Sequence, residues 1–419
     1  MANKVENITV FEHQAIKVGG GTFTSKHLEL LEKFRSDKED EYFPYYSLIH
    51  NGVKFKEYVG VLSVGGLQIE VLPKADNYLD NLEGNKKTWQ GHLISMLKAV
   101  YRLQAKTPTE TKQKLRSSPI LDVFLQRFLE EVERLLHMGL IKTYRKETDN
   151  LNALKGKIVW SKHVIKNVVH KERFFVNFTT YDRNHLCNRI LYKTLKVIPD
   201  ITGNSYIANR ARTLCFEFPE LNDVVVNDVL FESLRFDRKS EEYKSSIEIA
   251  KLILLHYMPD RLDNRNSVLA LMFDMNRLWE EYVYVMLRRR LTDYNVSAQK
   301  VKRFWECEIF GKTIRPDIVV SKGDNAVLII DTKWKCPKDN KPSDDDLKQM
   351  YAYHKYWGAP QTVLLYPAIG KRVDISGEFK KTGADEKKLQ CCMKFVPIDS
   401  IQNGCPTINE GMLEWEAKK

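Results

Sequence analysis

Asp317, Asp331 and Lys333 are residues whose types and spacing can do chemistry together. They sit within residues 315–335, RPDIVVSKGDNAVLIIDTKWK. Two β-rich runs, residues 314–320 and 326–335, flank the turn-forming Ser321-Lys322-Gly323-Asp324-Asn325. That is a hairpin pattern. Residues 327–330 are apolar without alternation, as in a strand covered on both faces. The run ends in Asp331-Thr332-Lys333, and side chains two apart on a strand share a face. Asp317, after Pro316, is expected beside them on the neighbouring strand.

Two carboxylates and a lysine on one sheet edge suit metal-assisted phosphodiester cleavage. Mg²⁺ takes oxygen ligands, usually one or two carboxylates with water and substrate phosphate. Asp317 and Asp331 are the expected ligands, together with the main-chain carbonyl of Thr332, and Mn²⁺ is an acceptable substitute. The metal activates water and neutralises charge developing on phosphate. Lys333 is expected to orient the attacking water or stabilise the pentavalent phosphorus. Ordinary hairpin charges would produce the same bare pattern.

The elements that must hold these residues form an α/β layout with a small mixed sheet. Residues 267–294 read as one helix, with Val268, Met272, Met275, Trp279, Tyr282, Val283 and Met286 on its buried face and Glu280 and Glu281 in its middle. Either glutamate is a solvated helix charge or a group aimed at the metal. Residues 304–309 read as strand, 344–357 as helix, and 362–366 and 393–396 as strands. Gln349 and Tyr353 stand one helical turn apart.

Upstream, residues 1–85 read as β-rich, with strands at 8–11, 58–62 and 67–72 and a tight turn at Gly65-Gly66. Residues 86–262 read as mainly helical, with apolar stripes around Trp89 and Leu93, along residues 121–136 up to Gly139, over 186–198 and over 243–258. Residues 263–419 form the C-terminal domain, after a polar, turn-prone stretch at 259–266. Basic and aromatic residues interleave from Lys142 to Lys171. That pattern either tracks a phosphate backbone or an acidic partner, or is a solvated face with one core tryptophan.

Composition narrows the class. The 419 residues carry 43% hydrophobic and 29% charged side chains and a net charge of +11, which describes a globular chain that favours polyanionic partners. No apolar run approaches membrane-spanning length, and residues 1–13 lack a signal-peptide core. The seven cysteines are scattered without a C-x-x-C pair, which reads as reduced structural thiols in a cytoplasm. Gly311-Lys312-Thr313 does not complete a P-loop, because position 306 is Glu. Nucleotide hydrolysis would then come from a partner.

The spacing P-D-(x)13-D-x-K resembles the PD-(D/E)xK nuclease core. Residues 273–283, FDMNRLWEEYV, resemble the helix opening the nuclease domain of McrC proteins, the nuclease subunits of McrBC modification-dependent restriction systems. Residues 346–353, DLKQMYAY, resemble the Q-x-x-x-Y element of RecB-like nucleases. Residues 69–74, 154–157 and 181–189 resemble further McrC landmarks. The resemblance implies Asp317 and Asp331 as metal ligands, Lys333 as catalytic lysine, Glu280 reaching metal through water, and Gln349 and Tyr353 bracing the site or contacting DNA. It also implies a McrB-like AAA+ GTPase ring as partner, bound through the N-terminal region, with GTP entering only through that partner. The implied substrate is methylated double-stranded DNA, and a double-strand break would call for pairing of nuclease domains. A RecB-like nuclease with another motor, and a non-catalytic activator of an AAA+ ring, are the alternatives.

Overall fold

A computed structural model describes residues 6–19, 21–36, 43–74, 82–101, 119–259, 267–307, 309–335, 337, 341–368, 373–380, 389–398, 401, 405–409 and 412–416. The expected boundary stretch thus lies, beyond Pro259, outside the described residues. The fold is mixed α/β, and the chain divides into two compact units. One comprises residues 1–6, 63–66 and 112–271; the other comprises 7–62, 67–111 and 272–419.

The second unit is built on a six-stranded mixed sheet. In spatial order its strands are Asn295–Ala298, Ile318–Lys322, Asn325–Thr332, Gln361–Ala368, Gln390–Pro397 and Ile375–Glu378. Ile318–Lys322 and Asn325–Thr332 are an antiparallel hairpin, with Ile318 opposite Ile330 and Lys322 opposite Asn325. Gly323 turns it with φ of 60°, which glycine adopts without steric cost. Asn325–Thr332, Gln361–Ala368 and Gln390–Pro397 run parallel. Such strands are buried on both faces, which explains the unbroken apolar runs.

The parallel crossover carries the helix Asp344–Trp357. Ser343 caps it, its side chain accepting from Asp346 N at 3.1 Å, and Asp344, Asp345 and Asp346 suit the positive end of its dipole. Gly358 stops it in the left-handed conformation. Met350, Tyr353 and Trp357 pack into the cluster formed by Val319, Ile329 and Leu364.

Two sequence expectations change here. The run 314–320 is not one strand. Gly311–Ile314 pairs instead with Lys302–Glu306 as a separate two-stranded ribbon, and the expected hairpin begins only at Ile318. Pro316 lacks the N–H needed to continue a ladder. The run 267–294 is not one helix either. Val268–Asp274 is a strand, and the helix is Met275–Arg290. Asp274 sets that start, its Oδ1 accepting from Asn276 N at 2.9 Å and Arg277 N at 3.1 Å.

Residues 7–11, 67–72 and 58–62 of the same unit lie in neighbouring strands, in that order. Gly65 and Gly66 both take positive φ at the turn. The helix Leu82–Val100 packs on Met275–Arg290. Trp334 lies between Trp89 and Trp279, with ring centroids 6.0 and 5.7 Å away. The buried Glu12 closes this cluster: its Oε1 accepts from Trp334 Nε1 at 2.9 Å and from Lys74 N at 2.7 Å.

The first unit contains the helices Pro119–Met138, Leu186–Ile201, Ser205–Glu217 and Lys244–Leu255. Gly139 follows the first with φ of 87°. The expectation of a mainly helical middle misses a three-stranded antiparallel sheet, Thr143–Leu151, Phe174–Asp182 and Lys157–Ile158. Thr143–Leu151 alternates in exposure over most of its length, but its inward positions are only half-buried and polar, so no apolar period marks it. Of the interleaved basic and aromatic residues, Tyr144, Arg145, Lys146 and Lys157 lie on this sheet and Trp160, Lys162 and Lys166 on the helix Trp160–Lys166. Tyr144 and Tyr181 stack there at 4.5 Å, both exposed. Two of the quoted landmarks hold the chain in place. Asn188 donates to Arg183 O at 2.7 Å and Ile141 O at 2.9 Å, and Gly156 sits against the main chain of Asn177 and Phe178.

Candidate active site

One step beyond the paired Ile318 and Ile330 stand Asp317 and Asp331, so the hairpin register brings the two carboxylates to the same rung and face. Asp317 Oδ2 accepts from Thr332 N at 2.7 Å and Thr332 Oγ1 at 2.9 Å. Thr332 therefore fixes one aspartate with its amide and hydroxyl, a role beyond the carbonyl ligand expected of it. Lys333 Nζ lies 2.8 Å from Asp331 Oδ2 and 3.2 Å from Asp346 Oδ1. Its own N–H donates to Leu365 O at 2.9 Å, anchoring the strand end to the sheet.

Glu280 faces this group from the helix Met275–Arg290, held by a hydrogen bond from Gln299 Nε2. Gln299 N in turn donates to Asp317 O at 2.9 Å. Glu281 points elsewhere, pairing with Arg277 at 2.9 Å. From the helix Asp344–Trp357, Gln349 Nε2 donates to Tyr353 OH at 2.6 Å and lies 3.5 Å from Asp331 Oδ1. Tyr353 OH donates to Arg315 O at 3.0 Å. At 1% exposure, Tyr353 braces the chain entering Asp317.

The electrostatics are those of too much negative charge in too little water. Asp331 is 3% exposed. Burial, then the charge of Asp317, push its carboxyl up to about 6. Burial and Asp317 likewise push Glu280 up to about 7. Burial alone would pull the Lys333 ammonium down, but Asp331 and Asp346 outweigh it and hold it above the usual lysine range. A bound cation would relieve both carboxylates. Among the described residues no group of three or more His, Cys, Asp or Glu side chains forms a metal cage. Asp317 and Asp331 could serve as a pair of carboxylate donors, the number Mg²⁺ commonly uses alongside water and phosphate.

Asp346 and Gln299 were not among the residues expected from sequence. Asp346 is one of three aspartates in a helical first turn, where acids belong for dipole reasons alone. Gln299 has φ of 54°, a conformation that a glutamine in a polar stretch does not announce.

The family model for McrBC 5-methylcytosine restriction system components matches residues 53–367. All the side chains just described fall inside that span. The chain is 23% identical over 228 residues to the type IV methyl-directed restriction enzyme EcoKMcrBC of Escherichia coli (strain K12). That match covers 51% of this chain and 64% of the relative, so the chain spans less than two thirds of it. The fold is similar to a chain in the refined half-complex from the tetradecameric assembly of Thermococcus gammatolerans McrB AAA+ hexamers with bound McrC. There the TM-score is 0.65 and the identity 22%, covering 93% of this chain and 94% of that one. It is also similar to a chain in the cryo-EM structure of the Thermococcus gammatolerans McrBC complex, with a TM-score of 0.50 at 21% identity over 69% of this chain and 89% of that one.

Proposed function

The chain belongs to the family of McrBC 5-methylcytosine restriction system components, and from that premise we propose that it is the McrC-type DNA endonuclease subunit, cutting modified double-stranded DNA with Mg²⁺ and working with a GTP-hydrolysing McrB-like AAA+ ring. The observation that carries the reading is the single rung holding Asp317 and Asp331, with Lys333 drawn onto Asp331. A pure activator of an AAA+ ring has no need of that constellation.

In this reading Asp317, Asp331 and the Thr332 carbonyl hold Mg²⁺, with Mn²⁺ as a substitute. Bound there, the metal would make water a better nucleophile and neutralise charge developing on the phosphate. Thr332 keeps Asp317 in place through two hydrogen bonds. Lys333 has two carboxylate partners, so Asp346 can retain it at the site when Asp331 turns to a cation. From there its ammonium orients the attacking water or meets the phosphate oxygens. Glu280, whose proton is held up to about 7, is placed to accept a proton near neutral pH. Gln349 and Tyr353 hold the strand ends in register.

The test is cleavage of methylated and unmethylated plasmid with Mg²⁺, with and without the AAA+ partner and GTP, comparing the parent chain with Lys333→Ala. The expected result is cleavage that requires partner, GTP and methylation and is lost in the variant. Cleavage by the chain alone would favour an autonomous RecB-like nuclease. Faster GTP hydrolysis by the partner with no cleavage of a correctly modified substrate would favour the activator.

A further inference from the structure

The two-stranded ribbon Lys302–Glu306 and Gly311–Ile314 has no place in the six-stranded sheet. It is paired only with itself, Lys302 opposite Ile314 and Glu306 opposite Gly311, with an irregularity between Arg303 and Trp305. Every residue of Lys302–Glu306 is exposed, and in Gly311–Ile314 only Ile314 is partly covered. Yet it is rich in large apolar groups. Trp305 is 49% exposed, Phe310 55% and Ile309 90%, and the Trp305 and Phe310 rings lie 5.6 Å apart. An isolated ribbon is marginal in water and gains nothing from displaying such side chains to solvent.

Its base, by contrast, is fixed. Lys302 Nζ donates to Tyr356 O at 2.6 Å, Tyr356 OH donates to Phe304 O at 2.9 Å, and Tyr353 OH holds Arg315 O at 3.0 Å. Only Arg315 and Pro316 separate Ile314 from Asp317. Between base and helix lies a cavity of about 440 Å³ lined by Val301, Thr313, Ile314, Arg315, Gln349 and Tyr353. Gln349 is the residue that reaches Asp331. The cavity and the ribbon are therefore one surface leading away from the metal rung.

We infer that this ribbon is the duplex-DNA contact flanking the scissile phosphate, an inference that rests on the nuclease reading above. A two-stranded ribbon has the dimensions of a DNA groove. Residues 300–315 carry Lys300, Lys302, Arg303, Lys312 and Arg315 against Glu306 and Glu308, so the segment is net positive by three charges. Those cations suit phosphates, and Trp305 with Phe310 suits the apolar edges of sugars and bases. A second copy of this chain is the poorer occupant, because a symmetric interface would set like charge against like charge.

The test uses the full chain in the Lys333→Ala background, so that DNA is bound in Mg²⁺ without being cut. Trp305→Ala/Phe310→Ala and, separately, Lys312→Glu are compared with that background for affinity for a modified duplex, for its salt dependence, and for stimulation of partner GTP hydrolysis. Equal Mn²⁺-induced thermal shifts establish that each variant keeps a folded metal site. The expected result is about tenfold or greater loss of affinity in the aromatic variant. Lys312→Glu should lower the slope of log K against log salt by about one or more. GTPase stimulation should be unchanged in both. Unchanged affinity and slope would overturn the inference while leaving the nuclease reading intact. Lost GTPase stimulation with unchanged DNA affinity would overturn it in favour of a protein partner on this surface. If the Lys333→Ala background binds no duplex and the parent chain cuts none, the nuclease reading fails and the ribbon's role fails with it.

Discussion

Asp331 holds a charge where the fold resists one, and that conflict can be measured without any substrate. A carboxyl raised from its ordinary value to about 6 binds its proton more tightly in the folded chain than in the unfolded one. Its favourable contribution is complete below the unfolded value of about 4. It is lost as pH rises through 6, and that of Glu280 is lost through 7. The metal-free protein should therefore lose stability as pH rises from about 4 to about 7, and Mg²⁺ should restore it at the upper end of that window, because the cation would bind only the deprotonated pair. Thermal melts across that range, with and without Mg²⁺, check this; a metal-free melt that rises with pH would refute it. Asp331→Asn should raise metal-free stability at pH 7.5 by on the order of 1–2 kcal/mol, part of the relief being offset by Lys333 losing a partner. The same variant should abolish the Mg²⁺-dependent shift. Asp317, Asp331 and Lys333 were legible in the sequence because alternation and a turn suffice to put them on one face. Gln299 and Asp346 were not, since their roles arise from a left-handed residue and a tertiary ion pair that no local period records.

Elements were legible where an apolar run had a clear start and stop. The helix Asp344–Trp357 has a serine cap, an acidic first turn and a glycine end, and each can be read directly. The run from Ser267 onward misled because Val268, Met272 and Met275 happen to fall at helical spacing, while the buried strand Val268–Asp274 needs no spacing at all. Glycines make sharper tests. Gly156 has φ of 75°, and a Cβ there would stand 2.3 Å from Asn177 O and 2.8 Å from Phe178 Cα. Both are main-chain atoms in the sheet and cannot swing away. Gly156→Ala should cost roughly 2 kcal/mol or more, read by denaturant unfolding, while leaving the Mn²⁺-induced shift of the metal site in place. At the other end of the chain, Glu12→Ala would leave the buried Trp334 Nε1–H and Lys74 N–H without an acceptor, at about 1–3 kcal/mol each. Glu12→Gln keeps an oxygen for both donors and should recover most of that stability. Because Trp334 directly follows Lys333, the alanine variant should also lower the cleavage rate, with the glutamine variant rescuing it. Equal rates in all three would separate this cluster from the site.

The chain passes between its two compact units at residues 6/7, 62/63, 66/67, 111/112 and 271/272, so the unit that holds the candidate site is assembled from distant stretches of sequence. Residues 263–419 contain Glu280, Asp317, Asp331, Lys333, Gln349 and Tyr353, and on sequence alone they look like a domain sufficient in itself. They lack the helix Leu82–Val100, which packs on Met275–Arg290 and buries Leu93, Met96 and Leu97. They also lack Trp89 and Glu12, which cover Trp334. Each large apolar side chain returned to water costs about 1.5–3 kcal/mol, and a folded domain has only about 5–15 kcal/mol to lose. A fragment of residues 263–419 should therefore expose Trp279 and Trp334, bind a hydrophobic dye, and melt without a cooperative transition or a Mn²⁺-dependent shift. The full chain should show both. A cooperative, metal-responsive melt from the fragment would mean that the N-terminal strands and helix rest on an already complete domain. Its absence would mean that the rung of Asp317 and Asp331 forms only when the preceding residues are present to close the core behind it.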